Sequence, residues 1–133
     1  MPQLQPLVLK DRAATPKDRT FSPFNIEGGV GFLVERTGIP AGDNTLSISS
    51  RKTAGGKYRA TIKLMMPVVT TNQSINGVTV VTSERVAVAT LEFQFDARST
   101  EQERKDLVGL VQSSLDPAKT LINDAVVKLE GVY

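Results

Sequence analysis

Residues 44–66 read NTLSISSRKTAGGKYRATIKLMM, a stretch in which apolar and polar side chains alternate on either side of a glycine-containing turn. A period of two is typical of a β-strand with one buried face, so the stretch predicts a β-hairpin that turns at Thr53–Gly56. One predicted face carries Leu46, Ile48, Tyr58, Ala60, Ile62, Leu64 and Met66. The other carries Thr45, Ser47, Ser49, Arg51, Arg59, Thr61 and Lys63. This second face consists of hydroxyls and cations, and within the hairpin it contains neither an acid nor an aromatic ring.

The composition of the chain limits the functions that it can have. Its 133 residues predict one domain, and its net charge of +2 means that any affinity for nucleic acid comes from a local patch. The absence of cysteine and histidine excludes disulfides, thiolate metal sites and the commonest general base. No apolar run approaches the roughly 20 residues that span a bilayer, and residues 1–10 lack the layout of a signal peptide. The composition therefore argues against an enzyme, a secreted disulfide scaffold and a membrane protein.

Other segments also have strand character. The predicted strands are residues 5–10, 18–22, 28–36, the two arms of the central hairpin, and 83–96. Pro67 is expected to end the second arm of that hairpin, because proline donates no hydrogen bond to a sheet. The uncharged segment 68–80 contains Asn76 and Gly77, a strong turn signal, and predicts a long hairpin connection.

The last third of the chain has a helical period and predicts two helices. Ser99–Gln102 has the form of a capping box at the start of the first helix. Asp116 is expected to cap the second helix, with Pro117 at its first position and Gly131 just past its end.

Strands followed by helices predict an α+β fold with an antiparallel sheet. We expect a single domain with an N-terminal hairpin in residues 1–24, a sheet in residues 28–96 and two helices in residues 99–130. The two short helices must cover the apolar face of a sheet, either on their own chain or on a partner, and this requirement favours a homodimer.

From the residues alone, the polar face of the hairpin has two interpretations. It is either the solvated side of a half-buried sheet or a platform for nucleic acid. On such a platform Arg51, Arg59 and Lys63 would meet phosphates, while the hydroxyls would hydrogen-bond bases and sugars.

An enzymatic function has less support. No serine or threonine has a cysteine or histidine partner, and the paired carboxylates Glu101 and Glu103 suit the positive end of a helix. Gly28, Gly29 and Gly31 lack the spacing of a phosphate-binding loop, and no loop has the spacing of an EF-hand. We predict no catalytic residue, no metal site and no cofactor.

Five motifs resemble the coat proteins of single-stranded RNA bacteriophages, the levivirus family: LVLKDRAATP, ISSRKTAGGKYRATIKLMMPVV, NGVTVV, FDARSTEQER and VKLEGVY. The resemblance implies an N-terminal hairpin, a five-stranded antiparallel sheet and two C-terminal helices, in an interlocked homodimer whose helices clasp the partner. It implies an icosahedral shell around single-stranded RNA, assembled in the bacterial cytoplasm, and an operator hairpin whose binding represses replicase translation. The alternative is a cellular sheet-type RNA-binding regulator that forms no shell.

The resemblance also implies which residues contact RNA and which contact neighbouring dimers. The RNA-binding set is Val30, Thr45, Ser47, Ser49, Arg51, Arg59, Thr61, Lys63 and Thr90. The chain has Val88 where the family often has a tyrosine that stacks on an unpaired base, and Thr90 where it often has an asparagine. The loop that meets its copies at the shell's symmetry axes comprises Thr71, Asn72, Gln73, Ser74, Ile75, Asn76 and Gly77. Its lack of charge avoids repulsion there, since like charges would converge.

Overall fold

The computed structural model describes residues 2–38, 40–73, 77 and 79–132, and of residues 71–73 and 79–84 it describes only the backbone. The elements are β1 Leu7–Lys10, β2 Asp18–Glu27, β3 Val30–Glu35, a 3₁₀ helix Pro40–Gly42, β4 Asn44–Lys52, β5 Lys57–Gln73, β6 Thr79–Asp96, α1 Glu101–Ser114 and α2 Thr120–Val126. Met1–Gln94 and Phe95–Tyr133 are two compact units. The predicted α+β fold is confirmed.

In the described part of the chain, six strands form one sheet in the order β1 to β6, and the pairs from β1 to β5 are antiparallel. The six strands predicted from the residues are present. The levivirus resemblance implied seven strands, two in an N-terminal hairpin and five in a sheet, and this is one strand too many. In the described part of the chain, residues 28–96 hold four strands, β3 to β6, instead of five. Strand β2 joins them to the hairpin, since it pairs with β1 through Asp18–Phe21 and with β3 through Ser22–Glu27. A register shift between Pro23 and Asn25 separates the two halves, so one bulged strand serves both the hairpin and the main sheet.

Tight turns join the central strands. Gly28 and Gly29 connect β2 to β3 with φ of 58° and 81°, so β3 begins at Val30 and the strand predicted from residue 28 starts too early. Two successive positive φ values belong to the turn type that matches the twist of a hairpin, and glycine adopts them without strain. The predicted turn between β4 and β5 is confirmed, with the Gly56 amide donating to the Thr53 carbonyl over 3.0 Å.

Pro67 does not end β5, and the prediction that it would is wrong. The strand continues to Gln73, so part of the segment predicted as a connection is strand. The register pairs Thr45 with Met65, and β4 begins at Asn44. Pro67 therefore lies beyond β4, where the hydrogen bond it cannot donate to that strand has no acceptor to lose.

The core lies on one face of the sheet. Phe21, Leu33 and Leu46 are its buried residues, and Leu33 is only 1% exposed. The partly buried Leu4, Leu7, Ile62 and Leu64 pack against them. Gly31 lies on this face opposite Ile48, and a Cβ at Gly31 would come within 2.9 Å of Leu4 Cδ1. The glycine thus lets the N-terminal segment lie close against the sheet.

In the second unit, α1 begins with a capping box built by Thr100 and Glu103. The Glu103 amide donates to Thr100 Oγ1 over 3.2 Å, and the Thr100 amide donates to Glu103 Oε2 over 3.3 Å. The cap predicted at Ser99–Gln102 is therefore displaced by one residue. Ser99 has another role, since its carbonyl accepts a hydrogen bond of 2.7 Å from the Arg104 guanidinium.

Helix α2 is shorter than predicted. The side chain of Asp116 accepts a hydrogen bond of 2.9 Å from the Ala118 amide, and this local turn precedes the helix, which begins at Thr120. The helix ends at Val126, and Gly131 lies well beyond its end instead of capping it. No residue of α1 or α2 is buried within the single chain, although both helices carry the predicted apolar side chains.

Candidate nucleic-acid interface

The register of β4 and β5 places the predicted hydroxyls and cations on one face of the sheet. Direct cross-strand pairs are Ser47 with Lys63, Ser49 with Thr61, and Arg51 with Arg59, while Thr45 precedes them on β4. Side chains at paired positions share a face and lie close together. The arrangement is a row of hydroxyls that ends in two arginines at the turn. Below, the polar face means this set of seven residues together with its neighbours on β3 and β6.

The adjoining strand β3 adds apolar side chains to the polar face. Val30 pairs with Ser49, Phe32 with Ser47, and Val34 with Thr45. The structure thus brings Val30, predicted to contact RNA, beside the hydroxyl row. Phe32, directly beside Ser47, also adds to this face an aromatic ring that the hairpin itself lacks. The hairpin alone gave no sign of this ring, whereas the pairing of β3 with β4 determines it.

Strand β6 places an acid on the polar face. Glu92 Oε1 lies 2.7 Å from Arg59 Nε and accepts a hydrogen bond of 3.0 Å from Gln94 Nε2. Arg59 Nε has no hydrogen-bond partner despite its short distance to Glu92, so the contact is an ion pair without good hydrogen-bond alignment. Both side chains are about two-fifths exposed, and pairs of this kind contribute at most about 1 kcal/mol. An anion that approached Arg59 would therefore have to compete with Glu92.

The same ion pair shows on which face of the sheet Thr90 lies, the residue of β6 that is predicted to bind RNA. Since Glu92 lies on the polar face, Thr90 and Val88 lie on it too, because alternate strand residues point the same way. Both are exposed in the single chain. The polar face thus ends, on the β6 side, with an aliphatic and a hydroxyl side chain at the two positions where the levivirus resemblance implied a ring and an amide.

A buried polar cluster holds the start of β4. Arg19 Nε and Nη2 donate to the two oxygens of Glu35 over 3.0 and 2.9 Å, and Asn44 Nδ2 donates to Glu35 Oε1 over 2.6 Å. Asn44 is buried, and it immediately precedes Thr45. Because a buried amide or a largely buried carboxylate without partners would be costly, this cluster fixes the position from which the hydroxyl row begins.

Charge on the hairpin has one sign. The sequence contains no aspartate or glutamate between Asp43 and Glu84. Lys52 and Lys57 flank the turn and are exposed. Lys57 lies two residues before Arg59 and so extends the positive end formed by Arg51 and Arg59, whereas Lys52 pairs with Tyr58 on the opposite face. Neither lysine is among the predicted RNA-binding residues, although their sequence positions next to the turn already indicate this location.

The predicted inter-dimer loop falls mainly outside the part of the chain whose side chains are described. This applies to the side chains of residues 71–76, while the exposed Gly77 has φ of 75°. Among the described residues, no group of three or more acidic, histidine or cysteine side chains could hold a metal ion. Within the same part of the chain, no helix has both the length and the apolarity that a membrane crossing requires.

Comparisons with known proteins agree on one group. The family model of the levivirus coat protein matches residues 2–133. The capsid protein of Pseudomonas phage PRR1 is 47% identical over 131 residues, which cover 98% of this chain and 99% of the relative. The solved virus-like particle of Beihai levi-like virus 21 matches with a TM-score of 0.80 at 28% identity over 99% of both chains. An unassembled virus coat protein dimer, a bacteriophage RNA-binding dimer, matches with a TM-score of 0.61 at 20% identity over 98% of both chains.

Proposed function

The chain belongs to the levivirus coat protein family, and we propose that it forms homodimers that assemble into an icosahedral shell around single-stranded RNA. The proposal includes a second role, in which the dimer binds an operator hairpin and represses translation of the replicase. The shell assembles in the cytoplasm of the bacterial host and becomes the virion coat. The observation that carries the RNA-binding part is the cross-strand pairing that gathers hydroxyls and cations on the polar face.

Uncovered apolar surface supports the homodimer. Leu110 on α1 is 70% exposed in the single chain, and Leu121 and Val126 on α2 are also exposed. Ile48 and Tyr58 on the apolar face of the hairpin are exposed as well. Apolar patches of this kind usually mark an interface, and a dimer of identical chains buries each patch twice. A related fold forms a dimer in the unassembled virus coat protein.

The chemistry of the polar face supports RNA as the ligand. Long cations at Arg51, Arg59 and Lys63 suit phosphates, and the four short hydroxyls leave room for a strand to lie close to the sheet. A hydroxyl both donates and accepts hydrogen bonds, so this row can meet base edges and the ribose 2′-hydroxyl. Thr90 extends the row onto β6.

Val88 and Thr90 bear on the operator preference. An aliphatic side chain at Val88 offers no ring for stacking, so the dimer is expected to bind a different hairpin loop from relatives that have a tyrosine there. Packaging depends mainly on phosphate contacts and is less affected by this position. The uncharged loop of residues 71–77 is proposed to join neighbouring dimers around the symmetry axes.

Electron microscopy of the purified full-length protein with RNA tests the proposal. We expect closed, regular particles that protect the RNA from nuclease. Soluble dimers that bind RNA without closing into particles would instead indicate a regulator that forms no shell. Loss of RNA protection in otherwise intact particles would overturn the inward-facing position of the polar face.

A further inference from the structure

An open pocket of about 380 Å³ lies beside the hydroxyl row, between β2, β3 and the beginning of β4. Its apolar walls are Phe24, Phe32 and Val34. Thr45, the first residue of the row, lines the pocket as well. The volume falls within the roughly 300–1,000 Å³ of small-molecule sites. The pocket is therefore a lateral continuation of the polar face.

The bulge in β2 gives this pocket its aromatic wall. Pro23 pairs with Leu33 and Asn25 pairs with Phe32, so Phe24 is the additional residue between two paired positions. An additional residue changes the direction of neighbouring side chains, and both Phe24 and Asn25 line the pocket. The Phe24 side chain is 59% exposed. An exposed aromatic ring in a concave site offers a flat surface on which another ring can stack.

The rim of the pocket carries charged and polar groups in a fixed arrangement. Arg36 lies over the Phe24 ring, with Cζ 5.7 Å from the ring centroid. Asp43 Oδ1 accepts hydrogen bonds from the Thr37 amide over 2.9 Å and from Thr37 Oγ1 over 3.2 Å. Glu27 is the second carboxylate of the lining. Asp43 Oδ2 also pairs with Arg36 Nη1 over 3.5 Å, so both oxygens of Asp43 already have partners. Glu27 is therefore the carboxylate of the rim to which an incoming amino group can donate a hydrogen bond.

We propose that this pocket binds one unpaired nucleobase of the RNA that lies on the polar face, stacked on Phe24 with its amino group directed to the carboxylate rim. The inference rests on the proposed RNA-binding function. Continuity decides the occupant, because Val34 pairs with Thr45 and Phe32 pairs with Ser47. A strand that follows the hydroxyl row therefore reaches the pocket directly. Adenine, cytosine and guanine present an amino group at the edge that pairs with another base, whereas uracil does not, so the pocket favours these three over uracil.

Binding of short RNAs to the full-length dimer tests this site. The probes are oligoadenylate, oligocytidylate and oligouridylate of equal length, together with an abasic strand, measured by fluorescence anisotropy where sedimentation shows only dimers. Phe24→Ala should weaken binding of oligoadenylate and oligocytidylate roughly tenfold, since it removes one stacking surface. Binding of the abasic strand should be unchanged. Phe24→Tyr keeps the ring and should bind like the wild type, and Val8→Ala is the control for an exposed apolar residue outside the pocket.

The possible outcomes distinguish failure of the base pocket from failure of RNA binding by the polar face. If Lys63→Ala weakens binding of every probe while Phe24→Ala changes none, the pocket is overturned and the polar face stands. If Phe24→Ala weakens the abasic strand as much as oligoadenylate, base recognition is overturned. If Phe24→Ala leaves RNA binding intact but prevents particle formation, the occupant is another copy of the chain, and the inference is wrong. If the wild type binds no RNA at all, the RNA-binding function itself fails.

Discussion

The β4–β5 hairpin and the helical unit Phe95–Tyr133 differ in how much of their structure one chain completes. The hairpin has its full ladder of cross-strand pairs, and its Leu46 is buried within the chain. The helices have their hydrogen bonds and one complete cap, but none of their residues is buried. The polar face can therefore be understood from a single chain, whereas the exposed apolar stripes of the helices are explained by a second copy.

The largest effect is expected from Leu110→Ser, which tests the helical side of the contrast. Burying a leucine contributes about 1.5–3 kcal/mol, and a homodimer contains two copies, so dimerisation should weaken by about 3–6 kcal/mol. Analytical ultracentrifugation across protein concentrations measures this change. Gln112→Ser, an exposed polar position on the same helix, is the control and should leave the dimer intact. An unchanged dimer in Leu110→Ser would show that α1 does not use this side chain to meet a second chain.

Val88→Tyr sharpens the hairpin side of the contrast by adding a ring to the polar face. A ring at this exposed position should strengthen binding to hairpins with an unpaired loop base by about 1–3 kcal/mol. Selection of RNA hairpins against the wild-type and variant dimers, followed by affinity measurements, would detect the change in preference. Identical selected sequences would mean that residue 88 does not reach the loop base.

Glu92→Gln tests the competition between Glu92 and RNA for Arg59. Removing the acid frees Arg59 and removes a negative charge from the polar face, so RNA affinity should rise by up to about fivefold at low salt. Glu101→Gln is a matched control, because Glu101 also forms an exposed ion pair, with Lys105 in α1. If both substitutions raised RNA affinity equally, the change in net charge would explain the effect, and competition at Arg59 would be contradicted.

The smallest effect concerns Asp11, whose side chain accepts two backbone hydrogen bonds within the loop between β1 and β2. The Lys17 and Ala13 amides donate to its side chain over 3.0 and 3.2 Å and lower its pKa from the ordinary value. A lowered pKa means that the carboxylate stabilises the fold above the unfolded-state pKa, and that this contribution is lost as the pH falls through the folded-state pKa. NMR titration of the carboxyl carbon should give a midpoint below that of an unstructured aspartate. A midpoint at or above the ordinary value would contradict these contacts.

The sequence predicted the hairpin well because its signal is local. Alternation fixed the faces of β4 and β5, and Gly55 and Gly56 marked the turn, so the register brought together the residues predicted to contact RNA. Where a non-local neighbour decides, the prediction failed. Pro67 has the sequence signal of a strand end. It lies beyond the residues of β5 that pair with β4, however, so its missing amide hydrogen removes no hydrogen bond to β4. Phe32 and Glu92 changed the composition of the polar face, because strand pairing positions them and hairpin periodicity does not.

Helix boundaries failed for a related reason. Ser99 and Thr100 are both competent caps, and the choice depends on which one has an acid three residues later in reach; Glu103 selects Thr100. Asp116 and Pro117 carry every sequence signal of a helix start. Their local turn satisfies the same hydrogen-bonding groups without a helix, so the sequence pattern does not distinguish the two outcomes.

The salt dependence of RNA binding tests the central claim, that the polar face meets RNA, most directly. Three cations per chain, Arg51, Arg59 and Lys63, become six in a dimer. If all six contact phosphates, the logarithm of affinity should fall against the logarithm of salt concentration with a slope of roughly −4 to −5; if Glu92 retains Arg59, the slope should be about −3. Lys63→Ala should make the slope shallower by roughly 1.4–1.8 and leave the dimer intact. A slope near zero, or one that Lys63→Ala does not change, would contradict the account.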